Sequence, residues 1–378
     1  MIIGLVKEIK NNENRVALTP GGVKQLVGQG HAVLVEEAAG AGSGFDDGQY
    51  AQAGAVLCAD KKALFDQTDL IVKVKEPVAE EYDYFRQEQA LFAYLHLSAD
   101  KLLTQTMLNR EVSSIAFETV QLPNGQLPLL APMSEVAGRM SVQIGASLLQ
   151  KYNGGMGILL GGVPGVHSAE VVIIGGGVVG TNAAKMAVGL GAKVTVLDIN
   201  KSRLMYLDDI FGGRVATLIC NEYNTAYAVE RADLLIGSVL VPGAKAPKIV
   251  TESMVRTMKK GSVIVDVAID QGGSIETIDR VTTHDNPYYV KHGVIHYSVA
   301  NMPGAVPRTS TFALEAAMLP YLMKLANRGI SRALLEDADL RLGLNTYKGE
   351  VTCEPVAASL GYRYADPAQI LAASRTAG

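Results

Sequence analysis

Tryptophan is absent from the 378 residues, aromatic side chains reach only 6%, and cysteine occurs three times, as Cys58, Cys220 and Cys353. Three cysteines, far apart and never in CxxC pairs, exclude a disulfide-stapled fold and a thiolate metal site. They read as free thiols in a reducing compartment, so a cytoplasmic protein is expected. Charge of one sign is also scarce. Lys and Arg total 34 against 38 Asp and Glu, the net charge is -4, and no long basic block occurs. Neither nucleic acid nor a membrane surface is therefore an expected partner. The opening MIIGLVKEIK is broken by charge within seven residues, which makes it a first strand rather than a signal peptide. The most membrane-like window, 152–169, is uncharged but holds six Gly, a Pro and a His, a poor match to an apolar span of ~20 residues. No metal is expected either. His292 and His296 flank an apparent strand at 294–299, and four extended residues span about 13 Å, too far for one ion.

What is present is 48% apolar residues, 39 Gly and a length that suits two or three domains, each with a large core. Apolar runs of strand length alternate with helix-length amphipathic segments, the pattern of a parallel sheet covered on both faces. Strands are predicted near 2–6, 32–36, 55–58, 69–74, 90–95 and 112–116, then in a second series at 171–174, 193–198, 215–219, 233–237, 262–267 and 294–299. Thr19 followed by Pro20 reads as a helix start, with Gly28 and Gly30 as its stop. Between the two series, 119–132 (TVQLPNGQLPLLAP) carries three Pro and no charge. The expected fold class is α/β, with two doubly wound Rossmann-like domains, parallel sheets and a cleft between them. Residues 1–129 plus 304–378 are expected to form a discontinuous substrate domain, and 130–303 a dinucleotide-binding domain. The tail beyond 303 is expected to be helical, with no sheet of its own.

The segment VVIIGGGVVG, 171–180, is a strand followed by Gly175, Gly177 and Gly180 in GxGxxG spacing and then an Ala-rich helix. Alone that spacing is weak. Here a second strand follows and ends in Asp198, about 20 residues on, where the acid that holds an adenosine ribose belongs. Gly175 permits the tight turn, Gly177 lets a pyrophosphate approach the backbone, Gly180 lets the helix pack close, and the helix N-terminus faces the phosphates. A carboxylate at 198 repels a 2'-phosphate, so NAD is the expected cofactor, although Lys201 and Arg203 stand just beyond.

Open α/β sheets bind ligands at the carboxyl ends of their strands. Five polar residues are predicted there: Arg15, Lys75, His96, Asp270 and Asn301. Each alone has a bland reading, as a surface Arg, a strand-end Lys, a core His, a capping Asp or a turn Asn. Five at the same kind of edge weigh against that. Arg15 offers a planar fork for a carboxylate, Lys75 a point charge for a carbonyl oxygen, and His96 a proton donor and acceptor near neutral pH. Asp270 can align a water or an amine. Such a set suits a 2-oxo or 2-amino acid exchanging a hydride with nicotinamide, and the residues alone leave hydroxy acid and amino acid both open.

The stretches ENRVALTP (13–20), VKVKEP (72–77), YLHL (94–97), PMSEVAGRMS (132–141), IGGGVVG (174–180), DVAIDQGG (266–273) and NMPGAVPRTST (301–311) resemble, in order, the alanine dehydrogenase family. The resemblance implies reversible NAD-dependent deamination of L-alanine to pyruvate and ammonium, with Arg15 and Lys75 as substrate ligands and His96 and Asp270 as the catalytic pair. It further implies that Ser134, Val178, Val179, Asp198, Arg203, Val239, Leu240, Val267, Ala268, Ile269, Asp270, Val299, Ala300, Asn301 and Met302 contact NAD beside the three glycines, and that the chain forms a homohexamer. Cys220 stands where a small hydroxyl residue is expected near the adenine, and a thiol is the weaker hydrogen-bond partner. A related transhydrogenase subunit shares the glycine motif without amino-acid chemistry, and the intact set Arg15, Lys75, His96 and Asp270 argues against that alternative.

Overall fold

Short runs of Val, Ile, Leu and Ala, too short for helices and rich in β-branched residues, form the interior strands of two sheets. The computed structural model describes residues 1–239 and 246–376. In chain order the strands are β1 (Ile2–Leu5), β2 (Ala32–Glu36), β3 (Val56–Cys58), β4 (Leu70–Val72), β5 (Ala90–Ala93), β6 (Ser113–Ala116), β7 (Glu170–Ile174), β8 (Lys193–Asp198), β9 (Val215–Ile219), β10 (Leu234–Gly237), β11 (Val263–Asp266), β12 (Tyr288–Lys291), β13 (Val294–Tyr297), β14 (Leu344–Tyr347) and β15 (Glu350–Val351).

Two compact units result, one from Met1–Met133 together with the chain from Val306 onward, the other from Ser134–Ala305. The first holds an eight-stranded sheet in the order β15-β14-β6-β5-β4-β1-β2-β3. Its interior parallel strands are buried on both faces. Ile3, Leu5, Leu70, Val72, Ala90 and Phe92 pack into one apolar cluster with Leu314, Met318 and Leu322 of the helix Pro307–Arg328. Their alternates Ile71, Leu91 and Ala93 pack into a second cluster with Leu64, Phe65 and Met107. Period-two alternation thus feeds two cores at once. Gly4 falls on the second face because a Cβ there would lie 2.7 Å from Leu64 Cδ2.

The second unit holds a seven-stranded sheet in the order β12-β13-β11-β10-β7-β8-β9. In both sheets the strand order reverses beside the first strand of the series, with β1 between β4 and β2 and β7 between β10 and β8. This is the switch point at which doubly wound sheets bind ligands.

Two expectations are corrected. The sheets are mostly parallel, not wholly so, since β12 pairs antiparallel with β13, and β14 antiparallel with both β6 and β15. The tail is not purely helical, because β14 and β15 extend the first sheet. Both strands are short, and β15 has only Val351 buried, so neither shows the continuous apolar run that marks an interior strand. The helix start at Thr19 is as expected, its side chain accepting from Gly21 and Gly22 N–H.

Candidate active site

In the first unit the loops that follow three adjacent parallel strands, β1, β4 and β5, carry Arg15, Lys75 and His96. Each is held by a carboxylate that the sequence pattern did not single out. Arg15 is 2% exposed, and its Nε and Nη2 donate to the two carboxylate oxygens of Glu13 at 2.7 and 2.5 Å. Its Nη1 lies 3.1 Å from Met133 Sδ. Burial works against the guanidinium's charge, but the bond to Glu13 and its charge outweigh this and strengthen its hold on the proton. The loop itself is fixed by the returning tail. Val16 N–H donates to Thr311 Oγ1 at 3.1 Å, and Thr19 N–H to Glu315 Oε1 at 2.9 Å, both acceptors lying on the helix Pro307–Arg328.

Lys75 is half-buried. The main chain before it is pinned by Glu8, whose Oε1 accepts Val74 N–H at 2.6 Å and Lys75 N–H at 3.2 Å. Glu8 Oε2 lies 3.4 Å from the Nζ of the buried Lys73, and burial raises the Glu8 carboxyl above its ordinary range. His96 has a left-handed backbone, φ 49°, rare for a side chain with a Cβ. Its N–H donates to Glu118 Oε1 at 2.7 Å. Tyr94 is buried behind it, with ring planes 11° apart and its hydroxyl donating to Leu129 O at 2.5 Å; burial pushes that hydroxyl well up.

In the second unit the remaining candidates lie in the loops after β7, β10, β11 and β13, at and beyond the ends of β8 and β9, and in the helix Ala131–Leu148. The three glycines serve three separate purposes. Gly175 has φ 101°, which a side chain would strain, a Cβ on Gly177 would meet nothing within 4 Å, and a Cβ on Gly180 would stand 1.9 Å from Gly175 O. The open space before Gly177, at the N-terminus of the helix Val178–Gly189, is what a pyrophosphate needs. Val178 is exposed in that first turn and Val179 is buried behind it. Asp198 ends β8 and lies against this turn, Oδ2 accepting from Gly176 N–H at 2.7 Å and Oδ1 from Asn200 N–H at 2.8 Å. Each oxygen keeps a lone pair for a ribose hydroxyl. Arg203 folds back on the same turn, donating from Nε to Gly176 O and from Nη2 to Thr181 Oγ1, both at 2.5 Å. Cys220 follows β9, half-buried, with Sγ 3.7 Å from Thr225 Oγ1.

Ser238, absent from the sequence-based set, bonds back to Ile174 O and Gly175 O at 2.9 and 2.8 Å. Its neighbour Val239 lies beside Gly175, and Leu240 falls outside the described residues. Val267, Ala268, Ile269 and Asp270 form a short 3-10 turn with Asp270 exposed. Asp266 organises it: buried at the end of β11, it accepts Ala268, Ser274 and Ile275 N–H at 3.0, 2.8 and 3.3 Å. Burial lifts its carboxyl to about 6 against those bonds. Val299 and Met302 are buried after β13, flanking the half-buried Ala300 and Asn301, and Asn301 takes φ 59°. Ser134 is half-buried in the first turn of the helix Ala131–Leu148. His296 lies within β13 rather than flanking it, its Nδ1 at 2.9 Å from Val294 O and its Nε2 at 2.8 Å from Thr277 Oγ1.

The structure therefore groups Arg15, Lys75 and His96 at one sheet edge, and the glycine turn, Asp198, Asp270 and Asn301 at another. Both edges match a family model over their own halves of the chain: the alanine dehydrogenase/PNT N-terminal domain over residues 4–137 and the C-terminal domain over 141–354. The chain belongs to this family. It is 61% identical over 357 residues to an alanine dehydrogenase of Methanococcus maripaludis, covering 94% of this chain and 96% of that protein. It is 60% identical over 364 residues to alanine dehydrogenase 2 of Staphylococcus aureus, covering 96% and 98%. A solved L-alanine dehydrogenase superposes with a TM-score of 0.93 at 52% identity, over 96% of this chain and 99% of that one. A transhydrogenase of Sinorhizobium meliloti shares the fold, with a TM-score of 0.79 at 24% identity.

Proposed function

We infer that the chain catalyses the reversible NAD-dependent oxidative deamination of L-alanine to pyruvate and ammonia. The observation that carries this is identity of about 60% to alanine dehydrogenases over nearly the whole length of both chains. The glycine turn and Asp198 fit NAD. Gly175, Gly177, Gly180, Val178 and Val179 would take its pyrophosphate, Asp198 its adenosine ribose, and Ser134, Cys220, Val239, Val267, Ala268, Ile269, Asn301 and their neighbours the rest. The chemistry that NAD would supply there is acceptance of a hydride from C2 of alanine.

The chain's own residues do the remainder. Arg15, whose planar fork is oriented by Glu13, receives the substrate carboxylate. Lys75 places its charge at the carbonyl oxygen of the oxo acid. His96 gives and takes the proton at that oxygen, and Asp270 orients the amine and the water that replaces it. In the reductive direction ammonia adds to C2 of pyruvate, water departs, and the hydride reaches the resulting imine. The chain is further proposed to work as a homohexamer in the cytoplasm. Among the described residues no helix is long and apolar enough to cross a membrane.

The test is NADH oxidation by the pure protein with pyruvate, with and without ammonium, and mass spectrometry of the product. Alanine formed only with ammonium supports the reading. Lactate formed at a similar rate without it would make the chain a hydroxy-acid dehydrogenase.

A further inference from the structure

Glu118 stands one strand away from His96, in the turn Phe117–Thr119 that follows β6. Its carboxylate meets the His96 segment at three points. Leu95 N–H donates to Oε1 and Oε2 at 3.1 and 3.3 Å, His96 N–H donates to Oε1 at 2.7 Å, and the His96 Nδ1 lies 3.9 Å from the same Oε1. The first two contacts hold a main chain that has a reason to relax. His96 sits at φ 49°, a strained conformation for a residue with a Cβ. The third contact is electrostatic, too long for a hydrogen bond, and it is one-sided. The ring's other face lies against the buried, neutral Tyr94, and among the described residues the one ion-pair contact of the imidazole is with Glu118.

We propose that Glu118 is a positioning residue for His96: it locks the left-handed turn and, by facing Nδ1, keeps the ring proton there, so that Nε2 is the atom that exchanges a proton with substrate. A carboxylate beside Nδ1 favours the tautomer that carries hydrogen on that nitrogen. The side chain of His96 is 47% exposed while that of Glu118 is 16% exposed, so the ring reaches solvent further than its anchor does. Glu118 also stands near the Cys353 thiol, which with Glu354 opens the helix Glu354–Leu360.

The proposal rests on His96 being the proton donor, and the experiment separates the two ideas. In the full-length protein labelled with 15N at histidine, the His96 signals are assigned by their loss in His96→Gln, and the tautomer is read directly, with no turnover involved. The wild type should show Nδ1–H. Glu118→Gln keeps an oxygen for the two amide bonds but removes the charge, and should shift the ring toward a mixture of tautomers. Glu118→Ala removes both. Turnover with NADH, pyruvate and ammonium should fall about tenfold to a hundredfold in kcat for Glu118→Ala and by less for Glu118→Gln. NADH affinity should stay within about twofold in both. An Nε2–H tautomer in the wild type, or unchanged kcat and tautomer in Glu118→Gln, overturns the proposal. If Glu118→Ala does not fold, the Glu118→Gln tautomer decides alone. A wild type inactive with pyruvate and ammonium would instead sink the alanine reading and leave the tautomer result standing.

Discussion

At the residue scale, Arg15 is buried against Glu13 while the His96 ring is 47% exposed and anchored by the half-buried Glu118. His96→Ala should lower kcat about a hundredfold to ten-thousandfold while NADH affinity, measured by fluorescence titration, stays near wild type, because the glycine turn belongs to the other unit. Equal losses in both would assign His96 to the fold or the cofactor. Asp198 lies against the glycine turn through Gly176 N–H, so Asp198→Ala should weaken NAD and narrow its advantage over NADP by about tenfold or more. Arg203 does not offset this, since its guanidinium is turned onto Gly176 O and Thr181. Wild-type steady-state kinetics that favour both cofactors equally would contradict the role given to Asp198. Arg15, Lys75 and His96 were legible in the sequence because a strand end announces itself by the charge that follows it. Glu13, Glu8, Glu118 and Asp266 were not. An acid that bonds backbone amides looks in sequence like any loop acid, and only the pairing of neighbouring strands brings Glu8 to residue 74 or Glu118 to residue 96.

At the scale of elements, close approach and buried charge set the tolerances. A Cβ on Gly180 would overlap Gly175 O, and one on Gly138 would stand 2.2 Å from Val179 O, where the helix Ala131–Leu148 meets the helix Val178–Gly189. Gly180→Ala should therefore cost about 1–3 kcal/mol in stability and most of the NADH affinity, read by denaturant unfolding and titration; full affinity would mean that the helix can retreat without moving the turn. Adjacent strands β11 and β13 carry two groups whose pH effects oppose each other. Asp266 is raised from 3.8 to about 6. Between those values the unfolded chain has lost a proton that the folded chain keeps, so stability falls as pH rises, by about 3 kcal/mol over the window. Burial lowers His296 from 6.5 to about 4. There the unfolded chain holds the extra proton, so stability rises with pH over much the same range. Unfolding midpoints of Asp266→Asn should climb more steeply than wild type from pH 4 to 6.5, and those of His296→Gln should fall relative to it. Parallel profiles would show that neither group is perturbed. The interior parallel strands were readable from their apolar runs, whereas β12 and β15, at sheet edges, carry a mixed pattern that loops share, and β14, though buried, breaks its short run with Asn345 and Thr346.

At the scale of the whole molecule, the chain leaves the first unit near Met133 and returns near Val306. The return is more than a covering layer. The helix Pro307–Arg328 supplies the acceptors for Val16 and Thr19 N–H on either side of Ala17, next to Arg15, and β14 closes the sheet against β6. Ribosomal synthesis runs in one direction, so the second unit, Ser134–Ala305, is complete while the first still lacks the segment that holds its Arg15 loop. Domains fold as units while they emerge, which sets an order of birth: on the roles proposed above, a nascent chain becomes able to hold a nucleotide before it can recognise an amino acid. Nascent chains arrested soon after residue 340 should show a protease-resistant core over 134–305 and a cleavable 1–133. Equal protection of both would mean that the first strands need no help from the last.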